Sequence, residues 1–261
     1  MLGNRPPFRS VLIVIILALA LTRANARPVT PIRGIQIVPG TCTGDDLVSA
    51  QNAILDAGSF ASAGRYAAAR FTDPPFNMFF SARMQDGFDV AQVYQRILDA
   101  QQGNSNRINV SCLDKYNRCD YSNNQTQVVP AYAAQFPQKH RAPEIILCAK
   151  GLALPRDPDP CTAYPGGISL GWLMVHVMTG LSLISGSQPR INDQTIDTAR
   201  KVMERVVIGQ DTMGDANAYS YLGTWAWALG LGGPPWNRRQ TCLENAEQGY
   251  FDDMPWDDVH D

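Results

Sequence analysis

Histidine is scarce in this chain: His140, His176 and His260 are the only three. A zinc site built on three imidazoles would need all of them, including one from the acidic end of the sequence. Basic charge is no more abundant than acidic, with 22 Lys and Arg against 24 Asp and Glu and a formal net charge of -2. That balance, with no Lys/Arg cluster, argues against nucleic acid as a partner. The chain has no GxSxG elbow, P-loop or GxGxxG turn, and Ser185-Gly186-Ser187 lacks the strand–turn–helix setting that a nucleophile elbow needs. Carboxylates are plentiful, yet nothing selects a pair for glycoside hydrolysis.

Long apolar runs are also missing, with one exception near the start. Arg5 and Arg9 precede Val11–Thr22, and Ala24-Asn25-Ala26 follows as a small-x-small cleavage site. That run is about 12 residues, well short of the roughly 20 that span a bilayer as a helix. Residues 1–26 are therefore expected to be a cleaved secretory signal. Their loss removes Arg5, Arg9 and Arg23 and no acid, shifting the charge from -2 to about -5. No second apolar span follows, and the chain ends in acidic FDDMPWDDVHD rather than a lipid-anchor signal. The expectation is a secreted, extracellular monomer with no membrane span.

Six cysteines, at 42, 112, 119, 148, 161 and 242, read as three disulfides in an oxidising compartment. Six allow 15 pairings. Proximity in sequence favours Cys112–Cys119 and Cys148–Cys161, with Cys42–Cys242 joining the ends of the domain. Asn109-Val110-Ser111 and Asn124-Gln125-Thr126 are N-glycosylation sequons, expected on surface loops.

Periodicity organises the rest. Residues 27–41 read as a linker or propeptide-like segment, with a possible edge strand at Ile35–Val38. The domain proper is placed at residues 42–243, and residues 244–261 form an acidic tail expected to be disordered. Helical spacing marks Asp45–Arg70, with Leu47, Ala50, Ile54 and Leu55 on one face, and Asp89–Gln101, with Val90, Val93, Tyr94, Ile97 and Leu98. Arg107–Cys112 alternates like a strand, and Pro143–Cys148 is an apolar run of strand length. Ser169 is placed to N-cap a helix from Leu170 to Ile184. Gln194–Gly209 and Asp215–Leu229 complete the helices. The fold class is α+β, mainly helical with a small disulfide-pinned sheet.

The apolar helix carries GWLMVHVMTG (Gly171–Gly180), and the last helix opens on DANAYSYLGTW (Asp215–Trp225). With the cysteine layout, these segments resemble the deuterolysin-like zinc endopeptidases of fungi. Those are the aspzincins, or lysine-specific metalloendopeptidase-like family, with a related secreted antigen and zincophore group whose motif is HRxxH. The resemblance runs from about Cys42 to Cys242, and the second segment is similar to the family's NADxYxYF. It implies a zincin-like fold.

In that family two histidines of HExxH, one helical turn apart, bind zinc while the glutamate takes a proton from zinc-bound water. An aspartate in GTxDxxY is the third ligand, and its tyrosine supports the oxyanion. On this pattern His176 takes the first histidine position, but Val177 stands for the glutamate and Gly180 for the second histidine. Asp193, in RINDQTID, takes the third ligand position a few residues late, and Ile196 falls on the tyrosine. Only His176 and Asp193 remain as vestigial metal ligands, and valine cannot act as a general base. Apart from the resemblance, His176 reads equally as a core histidine and Asp193 as a helix cap or solvated carboxylate. Tyr219, Tyr221, Trp225 and Trp227 read as core at helical spacing, or as the lining of a groove. Gly180, inside the expected helix, suggests close packing or a bend.

The reading is a secreted, catalytically inactive metalloendopeptidase-like protein with no cofactor, acting by binding an extracellular protein, peptide or glycan. One alternative is an active zinc endopeptidase using His176, Asp193 and His140. Another is a structural cell-wall or apoplastic protein without a specific ligand.

Overall fold

Asp45 and Asp46 open helix α1 (Gly44–Ala68), where carboxylates meet the positive end of the helix dipole. Most of its inward positions are alanine or glycine: Ala50, Ala53, Ala57, Ala61, Gly64, Ala67 and Ala68 are buried, with Ile54 and Phe60 as the large exceptions. Small side chains bring neighbouring helices close. α1 packs against α3 (Met84–Gln102), α5 (Leu170–Thr179) and α8 (Ala216–Ala228). The computed structural model describes residues 33–104, 107–119, 129–135, 141–156, 168–186, 191, 196–197 and 199–231.

The contact of α1 with α3 shows why the residues are small. Tyr94 of α3 lies against Gly64, where an added Cβ would stand 2.3 Å from the tyrosine Cζ. The same tyrosine donates its hydroxyl to the carbonyl of Tyr219 in α8, so one side chain ties three helices. Val90, Val93, Ile97 and Ala100 complete the buried stripe of α3, which ends at Gly103 in the left-handed region, φ 79°. α3 begins a turn before the expected Asp89, because Met84 and Gln85 continue the helix without being buried.

Four strands form one sheet in the order β1 (Ile35–Ile37), β2 (Ile108–Ser111), β4 (Glu144–Leu147), β3 (Ala131–Ala134). β1, β2 and β4 are parallel, and β3 runs antiparallel to β4 at the edge. Ile35, Ile108, Val110, Ala131, Ile145 and Leu147 face the helices and join the core. By the two-residue period of a strand, Gln36, Asn109, Ser111, Glu144 and Tyr132 share the opposite face. Ile35 is buried in the first strand, so the core starts ahead of Cys42. β3 was not expected from sequence, because Ala131-Tyr132-Ala133-Ala134 carries little β-branched or alternating signal.

Among the described residues the disulfides are Cys42–Cys112 and Cys119–Cys148, so Cys42 does not pair with Cys242. This corrects the pairing expected from sequence proximity: Cys112 joins Cys42, not Cys119, and Cys148 joins Cys119, not Cys161. Cys161 and Cys242 lie outside the described residues. Parallel strands explain the difference. Each of β1, β2 and β4 is followed by a cysteine, and parallel alignment gathers Cys42, Cys112 and Cys148 at one end of the sheet. The strap 113–119 then returns to that end and closes on Cys148. Within it, Asp114 accepts from the backbone N–H of Arg118 (3.1 Å) and Cys119 (2.8 Å) and from the Tyr132 hydroxyl. Lys115 Nζ lies 2.6 Å from Glu144 Oε2 on the sheet.

No helix among the described residues is long and apolar enough to cross a membrane.

Gly64→Ala drives a methyl group into the Tyr94 ring and is expected to destabilise the fold by about 1–3 kcal/mol, the usual effect of overpacking. A urea titration followed by tryptophan fluorescence measures it. An unchanged midpoint would show that α1 and α3 can move apart at no cost.

Candidate functional site on the His176 helix

α5 is apolar on every side, and all ten of its residues are buried. Ser169 starts it, its Oγ accepting from the N–H of Trp172 at 3.1 Å. The expected single helix to Ile184 is instead broken. Thr179 donates its hydroxyl to the His176 carbonyl at 2.8 Å, Gly180 is the last residue with helical angles, and Leu181 turns extended before the short helix α6 (Ser182–Ser185). Gln135, just past β3, holds this break. Its Nε2 donates to the Gly180 carbonyl at 2.7 Å, and its Oε1 accepts from Ser182 N–H (3.1 Å) and Oγ (2.9 Å). An amide carries both functions because it is donor and acceptor at once.

His176 is 7 % exposed. Its ring stacks on Trp172, one turn earlier, with centroids 5.2 Å apart and an interplanar angle of 17°. Trp172 in turn meets Tyr221 of α8 at 5.1 Å, and Tyr221 and Trp225 flank Phe79 of the short helix α2 (Phe76–Phe79) at 6.0 and 5.8 Å. His176 is thus a member of an aromatic row through the core. Stacked and edge-on pairs at these separations contribute about 0.5–1.5 kcal/mol each beyond their buried area.

Val177, which the resemblance would set at a general-base position, is also 7 % exposed and belongs to the core cluster. For Gly180 the expected bend is found, since the helix ends there, but the expected close packing is not. Its φ of -71° and ψ of -11° suit any residue. A Cβ there would meet Val177 O at 3.4 Å and Ile191 O at 3.7 Å, ordinary contact distances. Neither close packing nor backbone strain requires glycine at 180.

Asp193 and His140, the other candidate ligands, lie outside the described residues, as does His260. Ile196, which the resemblance would set at the tyrosine position, is 36 % exposed. Among the described residues no group of three or more His, Cys, Asp and Glu side chains is gathered as for a metal ion.

The DANAYSYLGTW segment has a structural task. Asp215 N-caps α8, its Oδ1 accepting from Asn217 N–H at 2.9 Å and from Asn217 Nδ2 at 3.0 Å. Its Oδ2 accepts from Arg205 Nη1 at 2.7 Å, and the other arm of that guanidinium reaches Asp197. Arg205 belongs to α7 (Ala199–Val207). Asn217 Oδ1 accepts from Asp197 N–H at 3.2 Å, and the Tyr221 hydroxyl donates to the Asp197 carbonyl at 2.9 Å. With its N–H and carbonyl given to α8, Asp197 stays outside the helix, which explains why α7 starts later than the expected Gln194. Tyr219 donates to the Met213 carbonyl at 3.2 Å.

Tyr219, Tyr221 and Trp225 are buried to within 2 % and line no groove; Trp227 is half-buried, edge-on to Phe60 at 5.2 Å. A cavity of about 100 Å³ does exist, but among Asn52, Asp56, Leu154, Arg156 and Leu170 at the opposite end of α5 from His176. Sequence reasoning missed Trp172, Gln135 and Arg205. Only Trp172 carried a usable signal, its four-residue spacing from His176.

Neither the family models nor the curated proteins compared with this chain give a match.

Burial raises the phenol pKa values of Tyr94, Tyr219 and Tyr221 well above the usual 10. In the unfolded chain these phenols ionise near 10, so their contribution is intact below pH 10 and is lost as pH rises beyond it. Urea midpoints are therefore expected to fall between pH 9.5 and 11, with tyrosinate absorbance appearing together with unfolding. Ionisation of all tyrosines ahead of unfolding would contradict their burial. Asp215→Ala removes a cap and leaves Arg205 half-paired, and is expected to destabilise the fold by about 2 kcal/mol in the same assay. A loss below about 0.5 kcal/mol would show that the network is dispensable.

Proposed function

We propose that this chain is a secreted, catalytically inactive member of the deuterolysin-like group, with a zincin-like fold, and that it acts by binding an extended peptide segment of an extracellular partner. The observation that carries this reading is the pair of side chains that follow His176 on α5. Val177 offers the core a branched alkyl group where proton transfer would need a carboxylate, and Gly180 has no side chain to offer a metal. Among the described residues His176 alone supplies an imidazole, and its ring is engaged with Trp172.

The choice of a peptide over a glycan is supported by β3. It lies at the edge of the sheet, antiparallel to its neighbour, and α5 packs beside it. Gln135 binds the end of that strand to the end of α5. An edge strand presents alternate backbone N–H and C=O groups that an incoming extended chain can pair with. Ala133 and Ala134 are small enough to let another backbone approach. Tyr219, Tyr221 and Trp225, which could have stacked on sugar rings, are instead buried in the core. Secretion is supported by the signal-like start and by the two disulfides, which persist in oxidising compartments.

The first test is zinc content per chain together with cleavage of a denatured protein substrate, for the wild type and His176→Ala. No zinc-dependent cleavage is expected in either. Stoichiometric zinc with cleavage, both lost in His176→Ala, would overturn the proposal in favour of an active endopeptidase. For the binding mode, a selected extended peptide is expected to slow amide exchange within Ala131–Ala134 about tenfold or more on binding. Protection confined to any other surface would sink the edge-strand assignment.

A further inference from the structure

One of the two sequons occupies an unusual place. Asn109 sits inside β2, in register with Gln36 of β1 and Glu144 of β4, and its N–H donates to the Pro143 carbonyl at 2.9 Å. Its side chain is half-buried, not displayed on a loop as the sequence suggested. The sequon hydroxyl is further from reach. Ser111 is 0 % exposed, and its Oγ accepts from Leu113 N–H at 3.1 Å and donates to Leu113 O at 3.2 Å. A glycosyl transferase has to read that hydroxyl and bend the backbone around the asparagine. The folded sheet permits neither.

The next residue is Cys112, whose partner Cys42 lies 70 residues earlier. During synthesis Cys42 is therefore already in the compartment when Asn109 arrives, and Cys112 follows almost at once. Closing Cys42–Cys112 brings β2 to β1 before β4 has been made. We propose that N-glycosylation of Asn109 and closure of the Cys42–Cys112 disulfide compete for the same nascent segment, so that thiol oxidation sets how much of the protein carries a glycan there. The proposal rests on the secretory reading above.

Both chemistries balance. In glycan transfer the Asn109 Nδ2–C1 bond forms and the bond from C1 to the pyrophosphate oxygen of a polyprenyl-linked oligosaccharide donor breaks. The amide proton leaves to a base of the transferase, and the polyprenyl pyrophosphate departs. In disulfide closure the two thiols give up two protons and two electrons to a disulfide-bearing oxidant, which is reduced to thiols. The first reaction requires an exposed, mobile Asn109–Ser111, and the second removes it. A glycan attached in time would lie on the sheet face away from the helices, beside Gln36 and Glu144.

The test translates the full chain in microsomes behind an appended cleavable signal, so that import does not depend on residues 1–26. Occupancy at Asn109 is read by mass spectrometry after enzymatic deglycosylation in heavy-oxygen water, on pulse-labelled chains taken before degradation. Cys42→Ser is expected to raise occupancy about threefold or more over wild type, and dithiothreitol during the pulse should do the same. Cys119→Ser removes the other disulfide and carries the same risk of misfolding, yet leaves Cys42–Cys112 free to close; its occupancy should match wild type. An equal rise in Cys119→Ser would replace the disulfide race by a general folding defect and overturn the proposal. So would equal occupancy in every arm, including none. Failure of the chain's own residues 1–26 to direct import, measured separately, would count against the secretory reading alone.

Discussion

Close approach of helices to α1 is the constraint on which the other contacts depend. Three contacts set the distances: the Tyr94 ring over Gly64, Asp56 and Phe60 against Gly171 of α5, and the Phe60 backbone against Gly223 of α8. At each, a side chain or backbone occupies the place a Cβ would take, so the helices meet almost backbone to side-chain root. With α1 on one flank and α8 on another, α5 has no solvent face left. Its full burial follows, and with it the stacking of His176 on Trp172. The sheet enters this arrangement by one face only, through Ile108, Val110, Ile145 and Leu147. The opposite face is left to the strap between the two disulfides.

Much of this was legible from residue pattern, and the failures have identifiable causes. α1, α3 and α8 follow from long helical periodicity, and Ser169 was recognisable as a cap because its hydroxyl precedes an apolar run. β2 was visible as an alternating segment and β4 as a short apolar run. β3 was hidden because alanine carries little strand signal, and its pairing depends on β4 rather than on its own composition. The disulfide pairing failed for a topological reason. Sequence distance is a poor guide when parallel strands deliver residues from 42, 112 and 148 to one end of a sheet. At the candidate site, the residues at 176, 177 and 180 could be read directly, and the burial of His176 on an apolar helix matches its reading as a core histidine. A bend at Gly180 was suggested by the glycine, but not what holds it: Gln135, 45 positions away, supplies donor and acceptor together.

Positions 177 and 180 differ in what the fold asks of them. Val177 belongs to the core cluster, and an ionised glutamate in the same place would carry a desolvation cost of several kcal/mol unless a cation stood beside it. Under the proposed reading, loss of a metal and loss of that carboxylate therefore reinforce each other. Position 180 is under no such pressure, because its backbone is ordinary and a Cβ would find room. Under the proposed reading, glycine there reflects the absence of a demand for a ligand and not a demand of packing. The surroundings of α5 would accept a side chain at the helix end, so the inactive reading rests on residue identity and not on any incompatibility of the fold with chemistry.

The same distinction separates catalysis from binding in this architecture. Proton transfer and metal coordination need particular atoms on α5, and under the proposed reading Val177 and Gly180 stand where two of them would be. Pairing along β3 needs only backbone groups and small side chains, and the Gln135 clamp to Gly180 works through a backbone carbonyl that every residue possesses. An edge strand anchored in this way is indifferent to what stands at 177 and 180. A chain that lost the catalytic atoms would therefore keep a surface able to hold an extended peptide, while the buried row from His176 to Trp225 preserved the geometry of the helix beside it. Binding without cleavage is the function that survives most easily when only side chains on a buried helix are exchanged.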